Sequence, residues 1–350
     1  MINRTTLSVP ELEEAARDRL DSAAYDFYSA GSGEEISRDE AHRAWQEYRL
    51  KPRILRDVSE PDTSVGIFGT ELASPVIAAP TAFHSMADPE GEVATARGVA
   101  GAGSLLVLSS RATREVEDVA AAAGPWWFQV YALRDRELTR EQVERAAAAG
   151  ARALVLTVDA PYVAAKPRVR RPLPLSAQDR LSRDVGLDTR SSAWEQDPSI
   201  GPETIARLAR ESGLPVLVKG VLRPDDATAC VEAGASGVIV SNHGGRQLDR
   251  SVSTAAALPE VVRAVGDRVP VLVDGGIHTG TDVLTALALG ARAVLVGRPV
   301  LWALATGGSE GVRSMFESYR AGFAESMALA GAGSVRAITP DLVAPPYRAG

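Results

Sequence analysis

Nearly continuous apolar runs alternate with amphipathic stretches along most of the chain. Eight of these runs have the length of a strand, and they lie at residues 76–82, 104–110, 126–132, 153–159, 215–220, 237–242, 270–276 and 293–299. Runs this apolar are typical of strands buried on both faces, which occur in parallel sheets covered by helices. The pattern therefore predicts a parallel α/β sheet.

The stretches between the runs predict helices that pack on that sheet. They are rich in Ala, Glu and Arg, and examples lie at residues 140–149, 203–211, 225–233 and 281–289. Several are followed by a glycine, namely Gly150, Gly213, Gly234 and Gly290. Glycine at this position commonly ends a helix in the left-handed conformation. Eight strand–helix units favour a closed (β/α)8 TIM barrel over an open doubly wound sheet.

Two segments fall outside the repeated units. The N-terminal part contains Ser8 and Glu11 in a capping-box spacing, which predicts the start of a helix, and a charged helical stretch that puts His42 on the surface. The connection after the fourth strand, residues 166–200, is long and polar and predicts a lid over the catalytic face of the barrel. We expect one domain over 1–350, with an N-terminal helical cover (1–70), the barrel (71–307) and a C-terminal helix and tail (308–350).

Composition narrows the class of protein. Hydrophobic residues make up 45% and charged residues 24%, as in globular proteins. No apolar stretch approaches the roughly 18–20 residues of a membrane span, and the start of the chain lacks a secretory signal. The net charge of −7 comes without a basic block, so we expect no nucleic-acid partner. The lone Cys230 excludes an internal disulfide and suits the cytoplasm, and the histidine spacing predicts no metal site.

The segment 241–249, Ser-Asn-His-Gly-Gly-Arg-Gln-Leu-Asp, directly follows the sixth strand. It places His243 and Arg246 three residues apart at a strand end, where barrel enzymes carry their catalytic groups. The imidazole can take a proton near neutral pH, and the guanidinium fork matches a carboxylate. The alternative is a solvated turn that has no function.

Further candidates follow the fifth, seventh and eighth strands. Glycine-rich turns at 273–278 and 296–299, the second containing Arg298, predict a phosphate site, because backbone N–H groups and a helix N-terminus meet an anion there. Lys219 ends the fifth strand and points into the barrel mouth. It suits a Schiff-base nucleophile or a fixed positive charge, and the alternative is a lysine that reaches out to solvent.

Taken together, the 241–249 segment and the turns at 274–276 and 297–298 resemble the signature of the FMN-dependent 2-hydroxy acid oxidases and dehydrogenases. This family includes glycolate oxidase, lactate oxidase, mandelate dehydrogenase and hydroxymandelate oxidase. The resemblance extends from Tyr25 to about Gly308. It implies FMN as cofactor, a small-molecule substrate, oxidation of a 2-hydroxy acid to the 2-oxo acid, and a homo-oligomer, either a tetramer or an octamer.

The resemblance also implies roles for individual residues. His243 would take the hydroxyl proton or the α-proton, Asp159 would hold its imidazole, and Arg246 would bind the substrate carboxylate. Tyr131 would donate a hydrogen bond to the substrate oxygen, and Lys219 would stabilise the reduced flavin. The other flavin contacts that it implies are Ala79, Pro80, Thr81, Ala82, Ser109, Gln129, Thr157, Ser241, Asp274, Gly275, Gly276, His278, Gly297 and Arg298.

Several positions depart from the family pattern. Lys166 stands where a second carboxylate-binding arginine is usual, and Arg168 is a possible replacement for it. Phe27 replaces an active-site tyrosine, Arg111 replaces a tryptophan, and His278 replaces an arginine near the flavin phosphate. Lysine keeps the charge of arginine but loses its bidentate fork.

Two interpretations of these departures remain open. In the first, Arg111 and Lys166 together replace the missing arginine, and the protein oxidises a 2-hydroxy acid, which is bulky or aromatic (mandelate-like). In the second, the same flavin site acts on a non-standard substrate: an amine, a modified peptide or a carrier-bound hydroxyacyl group. An FMN-binding protein that has lost turnover and a flavin-dependent isomerase are further alternatives.

Overall fold

The structure, a computed structural model, describes residues 8–171 and 195–344. Eight parallel strands close into a barrel in which each strand pairs with its neighbours in the chain and the last pairs with the first. They are β1 (Val76–Ala78), β2 (Leu106–Ser109), β3 (Trp126–Val130), β4 (Leu154–Thr157), β5 (Val216–Val221), β6 (Gly237–Val240), β7 (Val271–Asp274) and β8 (Ala293–Val296). This confirms the predicted TIM barrel.

Burial explains why the apolar runs identified the strands. Every strand residue is buried except Gly220 in β5, because the barrel interior covers one face and the helices cover the other. The interior is closed at the N-terminal ends of the strands by a hairpin of Val65–Ile67 and Thr70–Leu72, whose apolar residues join the inner core. The opposite end of the barrel is therefore left for a ligand.

The helices begin and end close to the predicted positions. They are α1 (Val9–Arg17), α2 (Ser22–Ser29), α3 (Ile36–Gln46), α4 (Glu92–Gly101), α5 (Val116–Ala122), α6 (Arg136–Ala148), α7 (Glu203–Ser212), α8 (Pro224–Glu232), α9 (Thr254–Val265), α10 (Gly280–Ala288) and α11 (Arg298–Leu329). Helix α6 starts four residues before the predicted position because the Asp135 carboxylate accepts from the N–H groups of Glu137 and Leu138. Gly213 ends α7 in the left-handed conformation, with φ 68°.

The N-terminal helices lie over the outside and the mouth of the barrel. The Glu11 carboxylate accepts from the backbone and hydroxyl of Ser8 at the start of α1, as the capping-box spacing predicts. After α2, Ser32 N donates to Gly245 O at 2.9 Å, which ties this segment to the loop after β6. The N-terminal cover therefore reaches the site itself.

Helix α11 crosses the predicted boundary between barrel and C-terminal segment, with a break at Gly308. The domain bounds themselves stay a prediction. The central part of the predicted lid, 172–194, and the tail from residue 345 lie outside the described residues. Among the helices of the described ranges, none combines the length and the apolar composition needed to cross a membrane.

Candidate active site

A cavity of about 480 Å³ opens at the C-terminal ends of the strands, between the barrel and α2. Most residues that the sequence nominates for function line this cavity. They are Phe27, Ala79, Pro80, Thr81, Ala82, Ser109, Arg111, Tyr131, Lys166, Lys219, His243, Arg246, Asp274, Gly275, Gly276, His278, Gly297 and Arg298. The barrel thus brings together groups that lie up to 271 positions apart in the chain (298 minus 27).

His243 is held by a carboxylate behind it. Its Nδ1 lies 2.9 Å from Oδ1 of Asp159, which follows β4, while its backbone N–H donates to Ser241 Oγ at 3.0 Å. Burial opposes a charge on Asp159, but His243 and Lys219 hold the pKa of this carboxyl below its usual value. An ionised Asp159 favours the tautomer with its proton on Nδ1, which leaves Nε2 as a base.

Gly220, which the sequence reasoning missed, makes room for this carboxylate. It lies at a register irregularity between β5 and β6 and has a φ of 108°. A Cβ on Gly220 would stand 2.5 Å from Asp159 Cβ and 2.6 Å from its Cγ. The only signal in the sequence is a glycine inside a strand-like run, which often marks a close approach of another group.

Lys219 is buried and carries a positive charge. Its Nζ donates to Ser241 Oγ at 2.9 Å and lies 3.1 Å from Asp274 Oδ2. Burial opposes the charge, but Asp274 and Asp159 raise the pKa of Lys219 above its usual value. Because a Schiff-base nucleophile must be neutral, this environment favours a fixed positive charge instead. Asp274 contacts this lysine through one oxygen.

We call Gly275, Gly276, His278, Gly297 and Arg298 the glycine end of the cavity. Both glycines after β7 have positive φ, 89° and 76°, and a Cβ on Gly276 would stand 2.2 Å from Ala41 O. Arg298 begins α11, and its guanidinium donates to Tyr28 O and Ala30 O. Glycine turns beside a helix N-terminus and a half-buried arginine are an arrangement that suits a phosphate group.

The imidazole of His278 stacks on that of His42, with ring centroids 4.1 Å apart. Burial, together with His42 and Arg298, lowers the pKa of His278 to about 4. His42 is half-buried, and its Nδ1 lies 3.0 Å from Gly276 O, so the prediction that it is a surface residue is wrong. Its position depends on α3 packing against the turn after β7, which no local pattern reveals.

We call Arg111, Lys166 and Arg246 the cation end. Arg246 Nη1 donates to the carbonyls of Phe27, Tyr28 and Ala30 at the end of α2, and its guanidinium carbon lies 5.1 Å from the centroid of the Phe27 ring. Lys166 donates to Ala164 O at 3.0 Å. Both side chains line the cavity, and burial together with the charge of Arg246 lowers the pKa of Lys166 to about 8.

Arg111 approaches the cavity from a different direction. It follows β2, four strands away from β6 around the closed barrel, and therefore opposite the strand that precedes His243 and Arg246. Its guanidinium carbon lies 6.0 Å from the centroid of the Tyr131 ring. Tyr131 follows β3, and burial, with Asp159, raises its pKa, so its phenol is neutral.

The remaining nominated residues lie outside the wall of this cavity. Gln129, Thr157, Ser241 and Asp159 are buried or half-buried beneath it, and Thr157 lines a second cavity between β4, β5 and α8. Arg168 donates to Glu35 and to Ser29 O, so its charge is already engaged away from the cavity. The geometry therefore does not favour the substrate role suggested for Arg168.

Several buried polar side-chain atoms near the cavity lack a hydrogen-bond partner among the described residues. Gln129 Nε2, Asp274 Oδ1 and Asn242 Oδ1 find no hydrogen-bond partner among the described residues. Buried polar groups in native proteins nearly always have one, so each such atom calls for an explanation. In the described ranges, no group of three or more His, Cys, Asp or Glu side chains could hold a metal ion.

Glycine turns after the last two strands of a barrel, a buried lysine and a histidine held by a carboxylate are typical of a cofactor-dependent barrel enzyme. Comparison with known families identifies which one. The family model described as FMN-dependent dehydrogenase matches residues 16–345. The chain belongs to this family, which confirms the resemblance seen in its sequence, and FMN is its cofactor.

Individual relatives agree with this assignment over nearly the whole chain. L-lactate oxidase of Nostoc sp. is 41% identical, with 95% of this chain and 98% of that protein covered. Glycolate oxidase 3 of Arabidopsis thaliana is 42% identical, with 95% of this chain and 94% of the relative covered. The crystal structure of mandelate oxidase with (S)-2-phenylpropionate superimposes with a TM-score of 0.86 at 39% identity, covering 97% of this chain and 98% of that chain.

The residues present fit FMN. The glycine end suits its phosphate, and Lys219 offers a buried positive charge. The Gln129 Nε2 is a buried donor without a partner among the described residues, whereas its Oε1 accepts from Ser109 and Ser110. A cavity of about 480 Å³ is within the usual size range of cofactor sites.

Proposed function

We propose that the protein oxidises a 2-hydroxy acid to the corresponding 2-oxo acid with FMN as the electron acceptor. The observation that carries this proposal is the His243–Asp159 pair, 2.9 Å apart, in a cavity whose wall also contains Arg246 and Lys166. A base beside two cations suits a substrate with a hydroxyl group next to a carboxylate.

Binding is assigned to the cation end and to Tyr131. Arg246 and Lys166 neutralise the substrate carboxylate, and the neutral Tyr131 phenol donates a hydrogen bond to a substrate oxygen. Phe27 packs under the Arg246 guanidinium and supplies an apolar wall where the family usually has a hydroxyl group. These contacts orient the hydroxyl group toward His243.

Proton transfer is assigned to His243. Its Nε2 accepts the hydroxyl proton or, in the alternative order, the α-proton, and Asp159 stabilises the imidazolium that results. Bound FMN supplies the two-electron acceptor. Lys219, charged and buried, stabilises negative charge that develops beside it in the reduced state.

The alternatives fit the cavity less well. An amine substrate would carry a positive charge toward Arg111, Lys166 and Arg246, which would repel it. A protein without turnover would not need the His243–Asp159 pair in this arrangement. The 2-hydroxy acid therefore remains the better candidate.

The test is anaerobic reduction of the FMN-loaded protein by glycolate, lactate and mandelate, followed as loss of the visible flavin absorbance. Bleaching by at least one acid, and not by amines of matching size, is the expected result. Faster bleaching by mandelate than by the two smaller acids is expected if the substrate is bulky or aromatic. Bleaching by amines alone, or by none of the compounds, would contradict the proposal.

We further propose that the protein acts in the cytoplasm as a homo-oligomer, a tetramer or an octamer. The lone cysteine supports a reducing compartment, and the oligomer rests on the family resemblance. Light scattering of the FMN-loaded protein measures the number of subunits directly. A monomer would contradict the proposed oligomer.

A further inference from the structure

A buried histidine stands behind the wall of the cavity and takes no part in the chemistry assigned above. His84 follows β1, is 2% exposed, and has a threonine hydroxyl beside each of its ring nitrogens. Its Nε2 lies 2.7 Å from Oγ1 of Thr81, a residue of the cavity wall, and its Nδ1 lies 2.8 Å from Oγ1 of Thr95 on α4. The imidazole therefore connects the wall of the cofactor site to a helix outside it.

The segment that carries His84 is fixed by contacts from several elements. Phe83 has a left-handed backbone, with φ 64°, which is rare for a bulky residue and persists only where the surroundings hold it. The Tyr28 hydroxyl donates to Phe83 O at 2.6 Å, and His84 N donates to Oε1 of the buried Glu92 at 3.0 Å. Thr113 Oγ1 donates to the second carboxyl oxygen of Glu92 at 2.7 Å. The imidazole therefore has a defined position behind the cavity wall.

Hydrogen bonding indicates which ring nitrogen of His84 carries the proton. Burial lowers the pKa of His84, so near pH 7 the imidazole is neutral and has one N–H group and one lone pair. A hydrogen bond with the backbone of Thr81 acts in the opposite direction and raises this pKa, which requires the imidazole to donate and the Thr81 carbonyl to accept. Nε2 is the ring nitrogen that faces Thr81. This favours the tautomer with its proton on Nε2, in which Nδ1 accepts from the Thr95 hydroxyl.

This tautomer gives the Thr81 hydroxyl a fixed direction. When Nε2 donates, the Thr81 oxygen accepts, and the hydrogen of the Thr81 hydroxyl is not used by His84. Because Thr81 lines the cavity, that hydrogen can be presented to a bound group. With the proton on Nδ1 instead, the hydroxyl would donate to His84 and would offer the cavity only an oxygen lone pair. The histidine thus determines whether Thr81 is a donor or an acceptor.

We infer that His84 is a positioning residue of the cofactor site: it fixes the Thr81 oxygen as an acceptor, so that the Thr81 hydroxyl donates its hydrogen to the ring of bound FMN. A donor at the flavin ring stabilises the reduced form more than the oxidised form, because the ring gains negative charge on reduction. Thr81 would thereby add a neutral hydrogen bond to the positive charge that Lys219 supplies. The inference concerns the cofactor, so it does not depend on the substrate class of the proposed function.

The first experiment determines the tautomer in the native, FMN-loaded protein. The chain has four histidines, so a long-range proton–nitrogen correlation spectrum of protein with isotope-labelled histidine contains few ring signals. The variants His42→Gln, His243→Gln and His278→Gln identify the signals of the other histidines, and the signal that remains is that of His84. We expect a protonated Nε2 and an unprotonated Nδ1 in His84. A proton on Nδ1 would overturn the inference, and this measurement needs no change at His84.

The second experiment measures the midpoint potential of bound FMN by equilibration with redox dyes, without substrate. Thr81→Val removes the hydroxyl group and should lower the affinity for reduced relative to oxidised FMN by about tenfold, the value of one hydrogen bond, or about 30 mV for a two-electron couple. His84→Met should lower the same ratio by about threefold, because the hydroxyl group is then free to turn away from the ring. His84→Gln should restore the native ratio, because its amide N–H can replace that of the imidazole.

A double variant tests whether His84 acts through Thr81. Combining Thr81→Val with His84→Met should lower the affinity ratio no further than Thr81→Val alone, because a positioning residue acts only through the group that it positions. Thr285→Val is the matched control, since Thr285 is buried on α10 and its hydroxyl donates to Thr281 O in the same helix. It should leave the ratio unchanged. The amount of FMN bound per protein shows that each variant is folded and loaded.

The outcomes separate this inference from the proposed function. Additive losses in the double variant would mean that His84 affects the flavin by another route, and a native potential in Thr81→Val would mean that Thr81 is no donor; either result overturns the inference. If His84→Met does not fold, the tautomer and the potential of Thr81→Val decide. Failure of every hydroxy acid to reduce the flavin would contradict the proposed function and leave this inference standing, since neither experiment uses a substrate.

Discussion

The two ends of the cavity are built in different ways. The glycine end is made largely of backbone: Gly276 has no room for a Cβ, with Ala41 O only 2.2 Å from where it would lie, and Trp45 donates to Gly275 O at 2.8 Å. The cation end is made of long side chains from three separate loops. Backbone turns that need glycine tolerate little change, whereas side chains can be exchanged without altering the fold. On the proposed assignment, the cofactor site is therefore rigidly defined and the choice of substrate depends on a few side chains.

The distribution of departures from the family pattern follows this difference. Three of them, Phe27, Lys166 and Arg111, lie at or beside the cation end. At the glycine end only the side chain of His278 differs, and the turns themselves are retained. The contrast indicates a retained cofactor and an altered substrate pocket.

The largest effect should follow from removing the base. His243→Ala should lower the rate of flavin reduction by about a hundredfold to ten-thousandfold, the usual contribution of a general base, with FMN still bound. Rapid-mixing absorbance measures the rate, and the flavin-to-protein ratio is the internal control. Reduction at the native rate would show that His243 is not the base.

The second-largest effect should follow from changing Gly220, which does not line the cavity. Gly220→Ala puts a methyl group into Asp159, so we expect the carboxylate to leave its place and flavin reduction to slow by about tenfold or more, as when a base loses its orienting group. Gly234→Ala is the matched control, because Gly234 has a similar φ of 98° but nothing within 4 Å of the added Cβ. Equal losses in both variants would mean that backbone strain alone, and not Asp159, accounts for the effect.

The pH dependence of binding tests the cation end. The Lys166 ammonium loses its proton as the pH rises through about 8, so substrate affinity should be full below that pH and fall above it. Lys166→Arg should remove this fall, because an arginine stays charged. Lys166→Met should weaken binding below about pH 8, where the native lysine is charged, and should also abolish the pH dependence. The substrate affinity at each pH is measured as a dissociation constant by anaerobic titration. A flat native profile would exclude Lys166 from carboxylate binding.

The smallest effect is expected at the glycine end. His278 is neutral near pH 7, so His278→Arg should add a charge beside the phosphate site and tighten FMN binding by a few fold, roughly the value of one partly screened ionic contact. Fluorescence titration of the cofactor-free protein measures the affinity at two salt concentrations. Arg97→Met is the surface control, because Arg97 is an exposed arginine on α4 that pairs with Glu90. Weaker FMN binding in His278→Arg would indicate that the phosphate binds elsewhere.

Local pattern was enough to predict the barrel and much of the site. The apolar runs predicted the strands because burial on both faces leaves little choice of residue type, and the glycine turns marked the strand ends where ligands bind. The residues around His243 and Arg246 were found because they form one continuous segment after β6. Features confined to one strand and its following turn can be read from the chain.

Only the tertiary structure decided the contacts between distant segments. His42 stacks on His278 because α3 packs against the turn after β7, and Arg168 is engaged by Glu35 because the end of α2 reaches the same place. The position of Arg111 opposite Arg246 follows from closure of the barrel. Each of these depends on how elements far apart in the chain pack together, and neither residue type nor spacing encodes that packing locally.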